Sequence, residues 1–326
     1  MKDRLLAIGE ALIDMIPNQL GCDFEKITAF SPMVGGAPAN VAAVYALLGK
    51  KATLLTALGN DNFGHLIEKE LSSCHVDTAQ IRFTDKANTA LAFVTLDKEG
   101  NRSFSFYRNP SADMLYAPDE IDPTVFHDAF ALHFCSVSIG NFPMKEAHKR
   151  AITLAEENGA LVSFDPNLRS PLWNSQEDLY RAVWEFLPSA DILKISDDEL
   201  AFITGKETLS DALPVLFTGK VKLILFTKGK NGAELHLKRS DGSVTSLSYD
   251  IEESHAKDTT GAGDAFVGSF LSSLAGEKIT PDQLATLPSE TLARILKVAT
   301  RFASLTTCVH GAIPAYKAVL APWHRR

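Results

Sequence analysis

Between residues 130 and 227, four short apolar runs alternate with four amphipathic stretches, and this alternation leaves the chain few folds to choose from. The runs at 130–134, 160–165, 190–195 and 221–227 have strand length, whereas the stretches near 144–157, 177–187, 197–203 and 208–217 carry helical periodicity. Repeated strand–helix steps predict a mostly parallel sheet, because parallel neighbours are joined by crossovers that lay helices on the sheet faces. The N-terminal region starts the same way. Leu5 to Ile8 reads as a buried strand ending at Gly9, residues 52–58 as another strand, and 62–73 as a helix. The segment Val34-Gly35-Gly36-Ala37-Pro38-Ala39-Asn40 opens a helix that runs through Leu48, with Pro38 placed where a missing N–H costs little.

A different texture follows. Thr89 to Leu96 and Arg102 to Tyr107 alternate around Asp97-Lys98-Glu99-Gly100, the pattern of a β-hairpin outside the main sheet. With the segment around Asp14 it predicts a small β-lid, formed by residues of about 14–30 and 88–110, above a cleft in the α/β body. Such lids exclude water during group transfer. A short antiparallel excursion, Ala233 to Leu237 and Val244 to Tyr249, precedes helices near 265–275 and 290–305. With no repeat or linker to divide it, the chain reads as one domain over residues 1–326.

Composition removes several classes of function. At 45% hydrophobic and 22% charged residues the chain can bury a substantial core. Its net charge of −8 opposes a polyanion, and no Lys/Arg block interleaved with aromatics offsets it, so no nucleic acid partner is expected. Cys22, Cys74, Cys135 and Cys308 lie far apart without a CxxC pair, and read as buried thiols in a reducing cytosol. The histidines offer no close pair for a metal, and no nucleophile elbow marks a hydrolase. The first apolar run is cut short by Glu10 and no later one reaches spanning length, so no membrane association is expected.

The sharpest local feature is Asp258-Thr259-Thr260-Gly261-Ala262-Gly263-Asp264, followed at once by the apolar-periodic Phe266, Val267, Phe270, Leu271 and Leu274. It sets backbone N–H groups at a helix start, where unsatisfied donors and the helix dipole favour an anion, and its glycines allow close approach. Three other readings compete. Asp264 has the residue type of an ordinary N-cap. The dinucleotide fingerprint fails because Phe266 stands where a third glycine belongs, and the Walker loop fails for want of its Gly-Lys-Ser/Thr ending.

Together with Phe266 and the preceding residues, this run resembles the C-terminal motif of ribokinase-like (PfkB) carbohydrate kinases. Other segments resemble that family in the same order: Gly35-Gly36-Ala37-Pro38-Ala39-Asn40, Phe164-Asp165-Pro166-Asn167-Leu168-Arg169, Lys194 with Glu199, Thr227-Lys228-Gly229 and Gly311-Ala312-Ile313-Pro314-Ala315. Gly9-Glu10-Ala11-Leu12-Ile13-Asp14 looks most like bacterial and plant fructokinases. The resemblance implies a ribokinase-like α/β fold and phosphoryl transfer from ATP to a sugar hydroxymethyl group, with D-fructose as the favoured acceptor and fructose 6-phosphate as its product. It implies that Asp264 is the catalytic base, with backbone donors at Gly261, Ala262 and Gly263 as anion hole. A carboxylate of ordinary pKa about 3.9 is too acidic to deprotonate an alcohol in advance, so proton transfer comes late and the aspartate chiefly orients the nucleophile.

For the sugar, the family pattern points to Asp14, Gly35, Gly36, Asn40 and Arg169, with Asn167 nearby; from the hairpin, Phe104 is expected to pack on the apolar face of the sugar and Arg108 to close the lid over it. For the nucleotide it points to Lys194, Ser196, Thr227, Gly229 and Gly232 beside the loop glycines, with Glu199 holding Mg2+ through water. Ser196 departs from the family's more common asparagine at that place. A K+ site is implied at Asp258, Thr260, Gly311 and Ala315, and a homodimer through the lid. Within the class, 2-keto-3-deoxygluconate kinase, ribokinase and riboside kinase are the alternatives. Outside it stand a catalytically silent sugar-binding or regulatory protein and a dehydrogenase.

Overall fold

The first strand, β1 (Arg4–Ile8), is buried on both faces, with Leu5 and Ala7 in one core and Leu6 and Ile8 in the other. That is the two-residue period of a strand sandwiched between helical layers. The structure, a computed structural model, describes residues 2–19, 21–22, 24–96, 102–251 and 256–321.

From β1 the chain leaves for a second sheet through β2 (Leu12–Pro17) and β3 (Phe30–Gly35), and returns as helix α1 (Ala37–Leu47). Strand β4 (Lys51–Gly59) then pairs with β1 in parallel, followed by α2 (Asn62–Ser73) and the short strands β5 (Val76–Asp77) and β6 (Ile81–Thr84). The expected hairpin is present as β7 (Ala90–Leu96) and β8 (Arg102–Tyr107), its turn at 97–100 lying outside the described residues.

The alternation read from the sequence follows. Strand β9 (Ala129–Cys135) leads to α3 (Pro143–Glu157), and β10 (Leu161–Asp165) to α4 (Gln176–Phe186). Strand β11 (Ile192–Ser196) feeds α5 (Asp197–Thr204) and α6 (Leu209–Leu216) before β12 (Leu223–Thr227). Antiparallel β13 (Ala233–Lys238) and β14 (Val244–Tyr249) complete that edge, and α7 (Ala262–Ala275), α8 (Ser289–Thr306) and α9 (Ile313–Leu320) end the described chain.

The main sheet runs β14-β13-β12-β11-β10-β9-β1-β4-β5, with β6 also on β4. From β1 the order proceeds outward in both directions, so successive crossovers diverge and leave a crevice beyond the carboxyl ends of β1 and β9. The second sheet, β3-β2-β7-β8, has its own small core of Leu12, Ala90 and Ala92 with Phe106 against it.

Every residue of α1 is buried, which accounts for its lack of a polar stripe. It packs between the sheet and helices α7 and α9. Gly268 allows α7 to cross closely, since an added Cβ there would lie 2.7 Å from the Val44 Cβ. The four cysteines are free thiols, but only Cys74 and Cys135 are buried as expected, Cys22 and Cys308 being partly exposed; among the described residues no helix is long and apolar enough to cross a membrane.

Candidate active site

Helix α7 starts at Ala262 and not near 265, because Gly261 takes the left-handed conformation (φ 72°) that turns the loop into the helix. An added Cβ would lie 2.7 Å from Ala312 Cβ and run into the Tyr316 hydroxyl, which itself donates to the Gly261 carbonyl at 2.8 Å. The N-cap alternative for Asp264 is therefore corrected: Gly261 holds that place and Asp264 stands inside the first turn.

Asp264 is 7% exposed, and Asn40 Nδ2 in the first turn of α1 donates to its Oδ2 at 2.8 Å. Burial raises the Asp264 pKa; the Asn40 hydrogen bond and the positive charges of Arg169 and Lys194 oppose that rise without cancelling it. Of the three expected loop donors, Ala262 gives its N–H to the Thr259 carbonyl at 3.2 Å. The assignment of Ala262 to an anion hole is corrected accordingly, because the turn that sets up the helix consumes that donor. Gly261 and Gly263 keep N–H groups without a partner among the described residues.

Asp264 opens onto a cleft of about 1020 Å³ between the two sheets. Asp14, Gly36, Asn40, Phe104, Asn167 and Arg169 all line it. Gly36 has φ 102°, and an added Cβ would lie 2.6 Å from the Glu10 carbonyl oxygen, so only glycine lets this turn sit on the Glu10 backbone. Gly35 is behind the lining, close against the Asp14 carboxylate. Phe104 is stacked on Phe106, with centroids 5.7 Å apart, in the lid wall. Arg108 is elsewhere. Its guanidinium is buried, with Nε 3.0 Å from Asp113 Oδ2 and Nη2 on the same oxygen, and Nη1 reaches the Val137 carbonyl at 3.2 Å. The assignment of Arg108 to the sugar is corrected: a buried ion pair, with two guanidinium donors on one Asp113 oxygen, holds it in the lid's attachment, outside the cleft lining.

The residues expected at the nucleotide sit at the neighbouring strand ends. Ser196 ends β11 and Thr227 ends β12, and Gly229 (φ 51°) and Gly232 (φ 84°) shape the following turn. Lys194 is buried between two carboxylates, 3.1 Å from Asp165 and 3.8 Å from Glu199. Burial alone would lower its pKa, but Asp165 and Glu199 outweigh that and raise it, so it stays protonated. Burial pushes Asp165 up to about 7, with Lys194 opposing. Glu199 accepts from Leu168 N, Ser196 N and Ser196 Oγ at 2.8, 2.8 and 2.9 Å, closing a capping box on α5.

Three donors on Glu199 leave about one of a carboxylate's roughly four acceptor positions. Among the described residues no group of three His, Cys, Asp or Glu could enclose a metal. Such a donor set fits Mg2+, which keeps most of its waters and is held largely by nucleotide phosphates. In the loop, Asp258 Oδ1 accepts from Thr260 N at 2.9 Å and Thr260 Oγ1 at 2.6 Å, and its Oδ2 from Gly311 N at 2.8 Å. Ala315 is fully buried within α9. The sequence reading passes over Glu10, Lys257 and His310, which also line the cleft. Each stands alone in the sequence, and only Glu10 falls inside a quoted motif.

With this geometry in view, comparison with known proteins is direct. Probable fructokinase-2 of Arabidopsis thaliana is 42% identical over 315 residues, covering 96% of this chain and 93% of that protein. Fructokinase-2 of Solanum lycopersicum is 40% identical over 314 residues, covering 95% and 92%. A fructokinase of Xylella fastidiosa with bound ATP superposes with a TM-score of 0.88 at 31% identity, covering 99% of this chain and all of that one. A Vibrio cholerae O395 fructokinase bound to fructose, ADP and potassium ion superposes with a TM-score of 0.83 at 30% identity, covering 98% of each chain. The profile of the pfkB family carbohydrate kinases matches residues 2–318, and the chain belongs to that family.

Proposed function

We infer that this protein is an ATP-dependent fructokinase that phosphorylates the 6-hydroxyl of D-fructose. The observation that carries the reading is the meeting of two helix starts at one cleft, with buried Asp264 bonded to Asn40 beside the N–H groups of Gly261 and Gly263, which have no partner among the described residues. The acceptor sugar lies under the lid sheet, with its hydroxymethyl group toward Asp264. As the hydroxyl oxygen attacks the γ-phosphorus, the bond to ADP breaks and the proton passes to Asp264. Asn40 holds the carboxylate in line, and the Gly261 and Gly263 donors meet charge on the transferring group. Mg2+, when bound with ATP near Glu199, neutralises phosphate charge. Lys194, Ser196, Thr227, Gly229 and Gly232 are assigned to the nucleotide side. Residues 1–326 form one kinase domain, with the second sheet as its lid.

Charge supports a neutral acceptor. The described cleft lining carries Glu10, Asp14, Asp258 and Asp264 against Arg169 and Lys257, an environment that disfavours the carboxylate of 2-keto-3-deoxygluconate. The Vibrio cholerae relative is bound to potassium ion, and we assign K+ here to the loop of Asp258 and Thr260 with the segment from Gly311 to Ala315. The outer lid face, with Tyr107 67% and Phe24 54% exposed, is where a second copy would dock. The test is ADP release from MgATP with fructose, ribose, 2-keto-3-deoxygluconate and adenosine, with and without K+. Fructose should give the highest kcat/KM. Turnover of another acceptor in its place would overturn the substrate assignment, and sugar binding without turnover would overturn the kinase reading.

A further inference from the structure

Glu10 follows β1 and is 2% exposed, yet it carries a carboxyl group and forms part of the cleft wall. Burying a carboxylate is costly unless directed donors compensate it, and an apolar side chain would pack this position without that cost. The donors that Glu10 meets are specific. Its Oε1 accepts from the Ala37 N–H at 3.2 Å, one of the orphan donors in the first turn of α1. Its Oε2 accepts from Ser138 Oγ at 2.7 Å. Ser138 Oγ in turn accepts from Arg108 Nη2 at 3.4 Å, and Arg108 immediately follows β8, where the lid returns to the body. The same α1 turn contains Gly36, seated on the Glu10 backbone, and Asn40, which holds Asp264.

We propose that Glu10 is a positioning residue for the acceptor sugar, and that Glu10, Ser138 and Arg108 make the acceptor loop and the lid's attachment one hydrogen-bonded unit. Loss of the Glu10 carboxylate releases the α1 turn at Ala37 and breaks its link through Ser138 to the lid. The α1 end of that link borders the acceptor cleft and its other end anchors the lid above it, whereas the strand ends of β11 and β12 assigned to the nucleotide lie outside it. The proposal rests on the acceptor assignment above.

The experiment is steady-state kinetics with the acceptor and MgATP varied in turn, on Glu10→Ala, Glu10→Gln, Ser138→Ala and the Glu10→Ala/Ser138→Ala pair, with melting curves for each. For Glu10→Ala, KM for the sugar should rise by about 10- to 100-fold, the scale of a lost charge-assisted bond, while KM for ATP stays within about twofold. Glu10→Gln retains the shape and one acceptor oxygen, and should recover most of that loss. Ser138→Ala should raise the sugar KM by about three- to tenfold, and the double variant should be little worse than Glu10→Ala, because the two residues act through one link. If Glu10→Ala does not fold, Ser138→Ala and Glu10→Gln carry the same test. Equal rises in both KM values, a fall in melting temperature with both KM values unchanged, or additive effects in the double variant would overturn the proposal. Wild-type protein is measured first: absence of turnover with any sugar defeats the kinase reading and this proposal with it, whereas turnover with a sugar KM indifferent to Glu10 defeats this proposal alone.

Discussion

Replacing Asp264 by Asn separates its chemical role from its place in the fold. The amide oxygen introduced by Asp264→Asn can still accept from Asn40 Nδ2, which meets the wild-type carboxylate at 2.8 Å, so the first turn of α7 keeps its shape. Without an ionisable base, turnover should fall by about 10²- to 10⁴-fold, which corresponds to about 3–5.5 kcal/mol in the barrier. Stability should move the other way. A carboxylate whose folded pKa is raised stabilises the fold fully below its ordinary value of 3.8, and that contribution is lost as pH rises through the folded value. At a pH above the folded value wild type therefore carries the penalty of a buried charge, and the Asp264→Asn variant does not. Its melting temperature at that pH should equal or exceed the wild-type value, with the difference closing toward about pH 4. ADP release and thermal melting on the same preparations provide both readings. Activity within tenfold of wild type, or a melting temperature lowered by more than about 4 °C, would refute the reasoning.

Arg169→Gln removes a positive charge that opposes the rise in the Asp264 pKa, so the acid limb of the kcat/KM profile should move to higher pH; an unmoved limb refutes the coupling. Lys194→Met leaves Asp165 and Glu199 buried without their cation and should cost about 3–5 kcal/mol at neutral pH by denaturant melting. That loss should shrink as pH falls below the Asp165 value of about 7, since a raised carboxylate pKa favours the fold on the acid side. Gly261→Ala forces a Cβ toward Ala312 and the Tyr316 hydroxyl at positive φ, and should lower both stability, by at least about 1 kcal/mol, and turnover.

The main sheet is legible in the sequence because its strands are short, apolar and punctuated by helices of clear period, as at Leu161–Asp165 and Gln176–Phe186. The lid is legible as a hairpin, but its other pair is not: Phe30–Gly35 ends in the glycines that open α1 and lacks the alternation of a free strand. Pattern alone places helix α7 too late because Gly261 and Gly263 disguise its first turn, and with it the true N-cap. Local pattern nominates Asp264 and Asn40 separately. Their hydrogen bond spans 224 positions and follows only from the packing of α1 on α7. Arg108 misleads for a related reason: a hairpin arginine reads as mobile and reaching until its partner Asp113, five residues on, is seen to hold it. Glu10 looks like the charge that ends an apolar run, and nothing nearby announces Ser138 as its partner.

The close crossing of α1 and α7 at Gly268 divides what can change in this molecule from what cannot. One helix begins at the turn we assign to the acceptor and the other at the loop we assign to the phosphoryl group, and an added methyl group between them would meet Val44 at 2.7 Å. The spacing between the two half-sites is therefore set by the bare Gly268 backbone packing against the Val44 side chain, and a larger residue at 268 would change it. The attractive field at both helix starts likewise belongs to peptide groups, which every sequence supplies. A new acceptor would have to be accommodated from the lid, through residues such as Phe104 and Phe106, while the crossing helices stay as they are. The fold thus confines retargeting to a detachable margin of the cleft and keeps the reacting geometry out of reach of most substitutions.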